Sequence, residues 1–324
     1  MVNPNSTLYI EHPDWVLHAG KHARTLTRSE LVLNLGLPEV QQHIIDSVSN
    51  ILDTADVTYI KWDNNRGIHE MSAPSDNYDY MLGIYHVIDT LTTKYPDVLW
   101  EGCASGGGRF DAGLLHYWPQ HWTSDNTDAA DRLTIQFGTS LAYPPSAMGC
   151  HVSVVPNHLT ARNVSIEYRA HVALMVDHSS PCLPHTKLTH PSQCGSFGFE
   201  LKPSDLTPEE SAAIPGILAD WKEINPIVIT GSFYRLRLPD DSNWPAVQFV
   251  NKEEDKSFVL AFQQHASIKP APPPLKMQGL DADARYSSNA FNGTYSGKTL
   301  MNSGLNLDFE TGDYQSLLVW LYKE

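Results

Sequence analysis

Two aspartates stand out for the company they keep. Thr58-Tyr-Ile-Lys-Trp-Asp-Asn-Asn-Arg66 is a β-branched and aromatic run that stops at Asp63, with Lys61, Asn65 and Arg66 beside it. A buried parallel strand has this pattern where its C-terminal end opens into a site. The plain alternative is a surface carboxylate in an ion pair with Lys61 or Arg66. His121-Trp-Thr-Ser-Asp-Asn-Thr-Asp128 places Asp125 in a similar setting, and a tryptophan flanks each aspartate, Trp62 and Trp122. Sugars present flat apolar faces and many hydroxyls, which indoles, carboxylates and amides suit. Two carboxylates facing a glycosidic bond serve as nucleophile and acid/base. Asp128 and Glu101 compete for the second role, and spacing alone leaves the choice open.

Other chemistries fit less well. Gly106, Gly107 and Gly108 miss the dinucleotide fingerprint, because Asp111 stands where the third glycine of G-x-G-x-x-G belongs, and no G-K-[ST] follows. These glycines suit a close backbone approach to a small polar ligand. Ser105 lies in Ala-Ser-Gly, not in the G-x-S-x-G elbow of serine hydrolases. His69, His116, His121 and His151 have no zinc spacing, so no metal is expected. Cys103, Cys150, Cys182 and Cys194 form no close-spaced pair, and a chain of 324 residues needs no disulfide staples.

The elements that must position Asp63 and Asp125 alternate. Leu31–Leu35 is a strand-like apolar run, and Leu37–Asp53 is an amphipathic helix with Pro38 in its first turn. Its apolar residues are Val40, Ile44, Ile45, Val48, Ile51 and Leu52. The Asp63 strand comes next. Asp76 then caps a helix with Tyr80, Ile84, Val87, Ile88 and Leu91 on its inner face, and Val98–Gly102 is a further strand. Strand and helix in alternation predict a parallel sheet with functional groups at the C-terminal strand ends. Thr207-Pro-Glu-Glu210 opens another helix with a capping box. From about Ser232 the pattern changes to short alternating runs without helices, an antiparallel β-domain.

A formal charge of −15 argues against a nucleic-acid partner, which would need a basic face to neutralise phosphates. No apolar run has the length of a membrane span. The opening Met-Val-Asn-Pro-Asn-Ser has neither the basic start nor the apolar core of a signal peptide. Location stays open between secreted and cytoplasmic, and the sequons at Asn5, Asn163 and Asn292 matter only on a secretory route.

Tyr59–Arg66, Glu101-Gly-Cys-Ala-Ser-Gly-Gly-Gly-Arg-Phe-Asp111 and Trp122–Asp128 resemble the signatures of family 36 glycoside hydrolases, the α-galactosidases. So do Met148-Gly-Cys-His-Val-Ser153, with Cys150 where the family usually has Ala, and Thr311-Gly-Asp-Tyr-Gln-Ser316 near the C-terminus. The resemblance implies a partial (β/α)8-type barrel over 1–230 and a C-terminal antiparallel β-sandwich domain over 231–324. It implies a retaining hydrolase of terminal α-galactosides of the melibiose and raffinose type, without cofactor. Asp63 would be the nucleophile and Asp125 the acid/base, their carboxyls about 5–5.5 Å apart. Arg28, Lys61, Asn65, Cys103 and Gly106 would line the galactose pocket, and Trp62 would support its wall. Family members are often tetramers, so a homo-oligomer is expected.

Two departures shape the expectation. The family's N-terminal β-sandwich and first barrel strands, with their Trp-Phe-x-Asp-Asp type motif, have no match here, which predicts a fragment with unpaired strand edges. The family also runs from His171–Met175 almost directly to Gly195–Leu201, whereas here Val176–Cys194 intervenes, as a retained intron or a tolerated surface loop. The alternatives to hydrolysis are transgalactosylation and an inactive or galactoside-binding fragment.

Overall fold

The computed structural model describes residues 1–176, 197–266 and 272–324. They fall into two compact units, 1–122 and 123–324. All of the 176–194 stretch beyond Val176, with Cys182 and Cys194, lies outside the described residues.

In the first unit the Ser6 hydroxyl caps α1 (Thr7–Glu11). Pro38 opens α2 (Pro38–Thr54) at a position whose N–H would have no helical partner anyway. Val40 and Ile45 are buried, and Ile44, Val48 and Leu52 pack beside them. Ile51, at the edge of that apolar arc in the last turn, is instead 56% exposed. Helix α3 (Asp76–Lys94) buries Tyr80, Ile84, Val87, Ile88 and Leu91. Its N-cap is Ser75 rather than Asp76, whose carboxylate bonds back to the N–H groups of Ser72 and Ala73 in the turn before. Gly83 lets α3 approach the chain closely, since a Cβ there would fall 1.8 Å from the Leu35 carbonyl oxygen.

Leu31, Val32, Leu33 and Leu35 are all buried. They form no strand, because Leu31 and Leu33 meet Val2 and Val16 only through isolated bridges. Burial rather than a ladder fixes this run.

Strands β1 (Tyr59–Trp62), β2 (Leu99–Gly102) and β3 (Gln120–Trp122) run parallel in the order β1-β2-β3. Every residue of β2 and β3 is buried. The buried strand expected around Asp63 is only half so: Ile60 and Trp62 pack into the core, while Tyr59 and Lys61 face outward. Among the described residues β1 pairs on one side only, with β2, and a strand at a sheet edge carries polar groups on its open face. Short helix α4 (Ala112–Tyr117) precedes β3, capped by the Asp111 carboxylate at 2.9 Å from the Leu114 N–H.

The second unit continues the alternation with α5 (Ala129–Ser140), β4 (Met148–Ser153), α6 (Ile166–Leu174), β5 (Phe197–Glu200) and α7 (Pro208–Thr230). Strands β4 and β5 are parallel. The capping box of Thr207 and Glu210 forms as expected, with Pro208 in the first turn.

An antiparallel sheet follows: β6 (Ser232–Arg237), β7 (Ala246–Val250), β8 (Lys256–Gln263), β9 (Arg285–Ser288), β10 (Phe291–Ser296) and β11 (Gln315–Lys323). Helix α8 (Gly297–Asn302) interrupts it, and the strand order is β10-β9-β11-β8-β7-β6. Ala246, Val259, Ala261 and Val319 form one core with Leu275, Met277 and Leu300. On the other face Phe249 stacks on Phe258 at 5.0 Å, and Tyr168 of α6 meets Phe262 edge-on at 5.7 Å. With both faces covered, all of β7 is buried rather than alternate residues. No helix of the described residues is long and apolar enough to cross a membrane.

Candidate active site

Because β1, β2 and β3 are parallel, their C-terminal ends lie on one side, and the ladder sets which side chains meet there. Lys61 pairs with Glu101, and Glu101 with Gln120. The Glu101 side chain is fully buried. It accepts hydrogen bonds from the Tyr59 hydroxyl and from Gln120 Nε2, the latter at 2.7 Å, and holds Lys61 Nζ at 3.3 Å. Lys61 Nζ also lies 4.6 Å from the centre of the Trp122 ring. Burial and the Glu101 charge push the Tyr59 phenol far up, so it stays a donor. Glu101 is thereby committed to holding the strand ends.

Asp63 follows β1 directly and is exposed. The ion-pair alternative fails for it: Lys61 pairs with Glu101, and Arg66 gives NH1 to Glu70 at 3.0 Å and NH2 to Glu70 and the Thr25 carbonyl. Among the described residues Asp63 has no salt bridge. Its partners are neutral donors: the Asn64 N–H at 2.8 Å, Asn65 Nδ2 and the Cys103 thiol. Partial burial works to raise the Asp63 pKa. The hydrogen bonds from Asn65, Cys103 and Asn64 and the nearby Lys61 charge outweigh it and hold the carboxyl below its ordinary value. The Cys103 thiol is pushed up to about 11 by burial and by Asp63, so it remains a donor. An exposed carboxylate, kept ionised by fixed neutral donors, is a nucleophile's environment.

Asn65 is held in turn. Its Oδ1 accepts from the Ser105 N–H at 3.1 Å and hydroxyl at 3.3 Å, in the loop after β2. That loop turns on Ser105 (φ 50°) and Gly106 (φ 86°). A Cβ on Gly108 would fall 2.6 Å from the Ala104 carbonyl oxygen. The glycines here close the loop on itself, a local reason that the expected ligand approach did not include. Arg109 secures the loop from below by donating to the Cys103 carbonyl at 3.0 Å. Trp62 lies among Trp100 and Trp118, ring centres 6.1 and 5.8 Å away, as a half-buried core residue. Arg28 sits exposed at the Thr27–Glu30 turn with φ 55°, in no hydrogen bond or ion pair with the Asp63 cluster.

A cavity of about 50 Å³ lies behind Asp63, lined by Trp62, Asn64, Tyr80 and Arg109 among others, too small for a sugar ring. The larger groove of the first unit, about 450 Å³, is lined by Leu52–Val57 and Lys94–Val98. It lies before β1 and β2, at the opposite strand ends from Asp63.

In the second unit Asp125 is exposed in the loop that leads from β3 to α5. Asp128 is spent elsewhere. It caps α5 through Ala130 and Asp131 N–H groups at 2.9 and 3.2 Å, and it binds Arg162 and the Thr160 hydroxyl. Of the three carboxylates that competed to partner Asp63, Glu101 and Asp128 are buried and engaged by hydrogen bonds and an ion pair each, and Asp125 is the exposed one. Arg132, which no motif suggested, grips the Asp125 loop. Its signal was readable: it lies on the buried stripe of α5 with Ala129, Leu133, Gln136 and Phe137, where a charge is out of place. No group of three or more His, Cys, Asp or Glu among the described residues is placed to hold a metal.

Comparison with known proteins shows the family of the chain. A family model described as Melibiase matches residues 1–231, and one for the glycosyl hydrolase family 36 C-terminal domain matches 244–321. The chain belongs to glycoside hydrolase family 36. Among family 36 relatives, the probable alpha-galactosidase C of Aspergillus flavus is 54% identical over 324 residues, which are 100% of this chain and 40% of the relative. Alpha-galactosidase 2 of Hypocrea jecorina is 55% identical and is covered to 41%. Among solved structures, the Geobacillus stearothermophilus GH36 alpha-galactosidase AgaA variant in complex with raffinose aligns with a TM-score of 0.90 at 39% identity. That alignment covers 100% of this chain and 43% of the other. The fold is thus a portion of the family 36 (β/α)-barrel followed by its C-terminal β-domain, and the chain spans about two fifths of its relatives' length.

Proposed function

We propose that this chain carries the reacting carboxylates of a retaining α-galactosidase, with a catalytic portion over 1–230 and the β-domain over 231–324. Asp63 is the nucleophile: it attacks the anomeric carbon and forms a glycosyl ester as the glycosidic bond breaks. Asp125 gives its proton to the departing oxygen, then takes one from the water that cleaves the ester, with net retention. The single observation that carries the reading is Asp63 itself, exposed at a strand end, outside any salt bridge among the described residues and held ionised by Asn65, Cys103 and Asn64.

Lys61, Asn65, Cys103 and Gly106 stand around Asp63 or on the loop beside it, which suits them to the sugar hydroxyls. Arg28 belongs to the proposed pocket on the resemblance alone. The substrate class is terminal α-galactosyl units of melibiose and raffinose-type oligosaccharides. An AgaA structure with raffinose and another with stachyose support that class by relationship.

The test is turnover of p-nitrophenyl α-D-galactoside by this chain beside Asp63→Ala and Asp125→Ala. Activity lost in both variants supports the pair. Galactose binding without turnover identifies a binding fragment, and turnover that survives Asp63→Ala overturns the assignment.

A further inference from the structure

The loop carrying Asp125 has no regular secondary structure of its own, yet one buried side chain grips it on both sides of that residue. Arg132 is 1% exposed. Its NH1 donates to the Ser124 carbonyl at 3.0 Å and the Asn126 carbonyl at 2.9 Å, the two residues flanking Asp125. Its NH2 donates to Thr123 Oγ1 at 2.8 Å and to the Gly149 carbonyl of β4 at 3.1 Å, and Nε donates to Gln136 Oε1 at 3.1 Å. A guanidinium has five N–H donors, and each has a partner here. Gln136 is itself tied down, giving Nε2 to the Val172 carbonyl of α6 at 2.8 Å and accepting the Cys150 thiol at 2.9 Å.

We infer that Arg132 is a positioning residue for Asp125, fixing the height and direction of its carboxyl through the carbonyls on either side. The inference rests on the reading of Asp125 as acid/base. A guanidinium is a planar, rigid fork, so five bonds from it set the loop relative to β4 and α5, and through Gln136 to α6. Lysine keeps the charge but has one nitrogen, and it cannot span these acceptors. The acid must meet the departing oxygen within hydrogen-bond reach, where a displacement of about 1 Å costs on the order of 100-fold.

The experiment compares kcat/KM, which reports the glycosylation step, for phenyl and 2,4-dinitrophenyl α-D-galactosides. The dinitrophenolate leaves without a proton, whereas the phenolate needs one. Arg132→Lys is expected to lose on the order of 100-fold on the phenyl substrate and little on the dinitrophenyl one, matching the pattern of Asp125→Ala. Thr123→Val, which removes one arm only, should show the same bias with a smaller loss. Equal losses on both substrates in Arg132→Lys, with Asp125→Ala still discriminating, overturn the inference. If Asp125→Ala does not discriminate, the acid/base reading is what fails. Backbone exchange decides independently of turnover. The Asn126 and Asp128 amides, bonded to Ser124 Oγ and Asn126 Oδ1, should exchange about tenfold faster in Arg132→Lys while β7 and β8 keep their protection. Unchanged loop exchange overturns the inference.

Discussion

Lys61 Nζ stands 3.3 Å from Glu101 Oε1, directly across the β1–β2 ladder, with the Lys61 side chain 34% exposed and the Glu101 side chain fully buried. The strand register, not any local motif, brings the two together. Glu101→Gln is expected to destabilise the first unit by about 2 kcal/mol, below the usual cost of breaking a buried pair because Lys61 reaches water. Urea unfolding measures this, and an unchanged midpoint would remove Glu101 from its anchoring role.

The Asp63 pKa is lowered against the effect of burial, with Asn65 its largest lowering influence. Ionised nucleophile is therefore present above the folded pKa and is lost as pH falls through it. Asn65→Ala should raise that pKa and move the acidic limb of kcat/KM to higher pH. Carboxyl carbon NMR of Asp63 reads the same shift without turnover. A limb that stays in place would mean Asn65 does not tune Asp63.

His121 is buried, stacked on Phe110 with ring centres 4.8 Å apart, and neither of its ring nitrogens has a hydrogen-bond partner among the described residues. Burial lowers its pKa to about 4, against about 6.5 for a free imidazole. Between those values the unfolded chain binds a proton that the folded chain does not, so stability falls as pH drops from about 6.5 to about 4. The loss from this residue is at most roughly 3 kcal/mol. His121→Phe should flatten the change in urea midpoint between pH 7 and pH 4.5. An undiminished slope would assign the acid sensitivity elsewhere.

Asp128 and Asp125 sit in one loop and should fail differently. Asp128→Ala removes the α5 cap and one partner of Arg162, and it is expected to cost about 2 kcal/mol. Arg162 keeps Asp131 at 3.0 Å and its place over the Tyr314 ring at 5.1 Å, which limits the loss. Asp125→Ala should leave thermal unfolding almost unchanged and instead introduce the bias between leaving groups, with a large loss on the phenyl substrate and little on the dinitrophenyl one. If Asp128→Ala instead reproduces the leaving-group pattern with normal stability, the two assignments must be exchanged.

Much of the local structure was legible because it depends on near neighbours. The 3.6-residue period of α2 and α3, Pro38, and the Thr207–Glu210 box are short-range signals, and each element formed within a few residues of its expected bounds. The strand-end setting of Asp63 and the change to antiparallel pairing after Ser232 were equally visible. Leu31–Leu35 misled because burial without a ladder has the same composition as a strand.

What the sequence left open was which carboxylates remain available. Glu101 is consumed by Tyr59, 42 residues away, and by Gln120, 19 away, and Asp128 by Arg162, 34 away. No periodicity encodes such partners, because parallel register and helix packing decide them over long separations. The sequence by itself determined the residue types, the helices and the strand that ends at Asp63. The tertiary structure decided that Glu101 and Asp128 are engaged by buried partners, that among the described residues Asp63 has only neutral hydrogen-bond donors, and that Arg132 holds the loop of Asp125. Side-chain hydrogen bonds are short and directional, so a partner is chosen only once the backbone has brought the groups within about 3 Å.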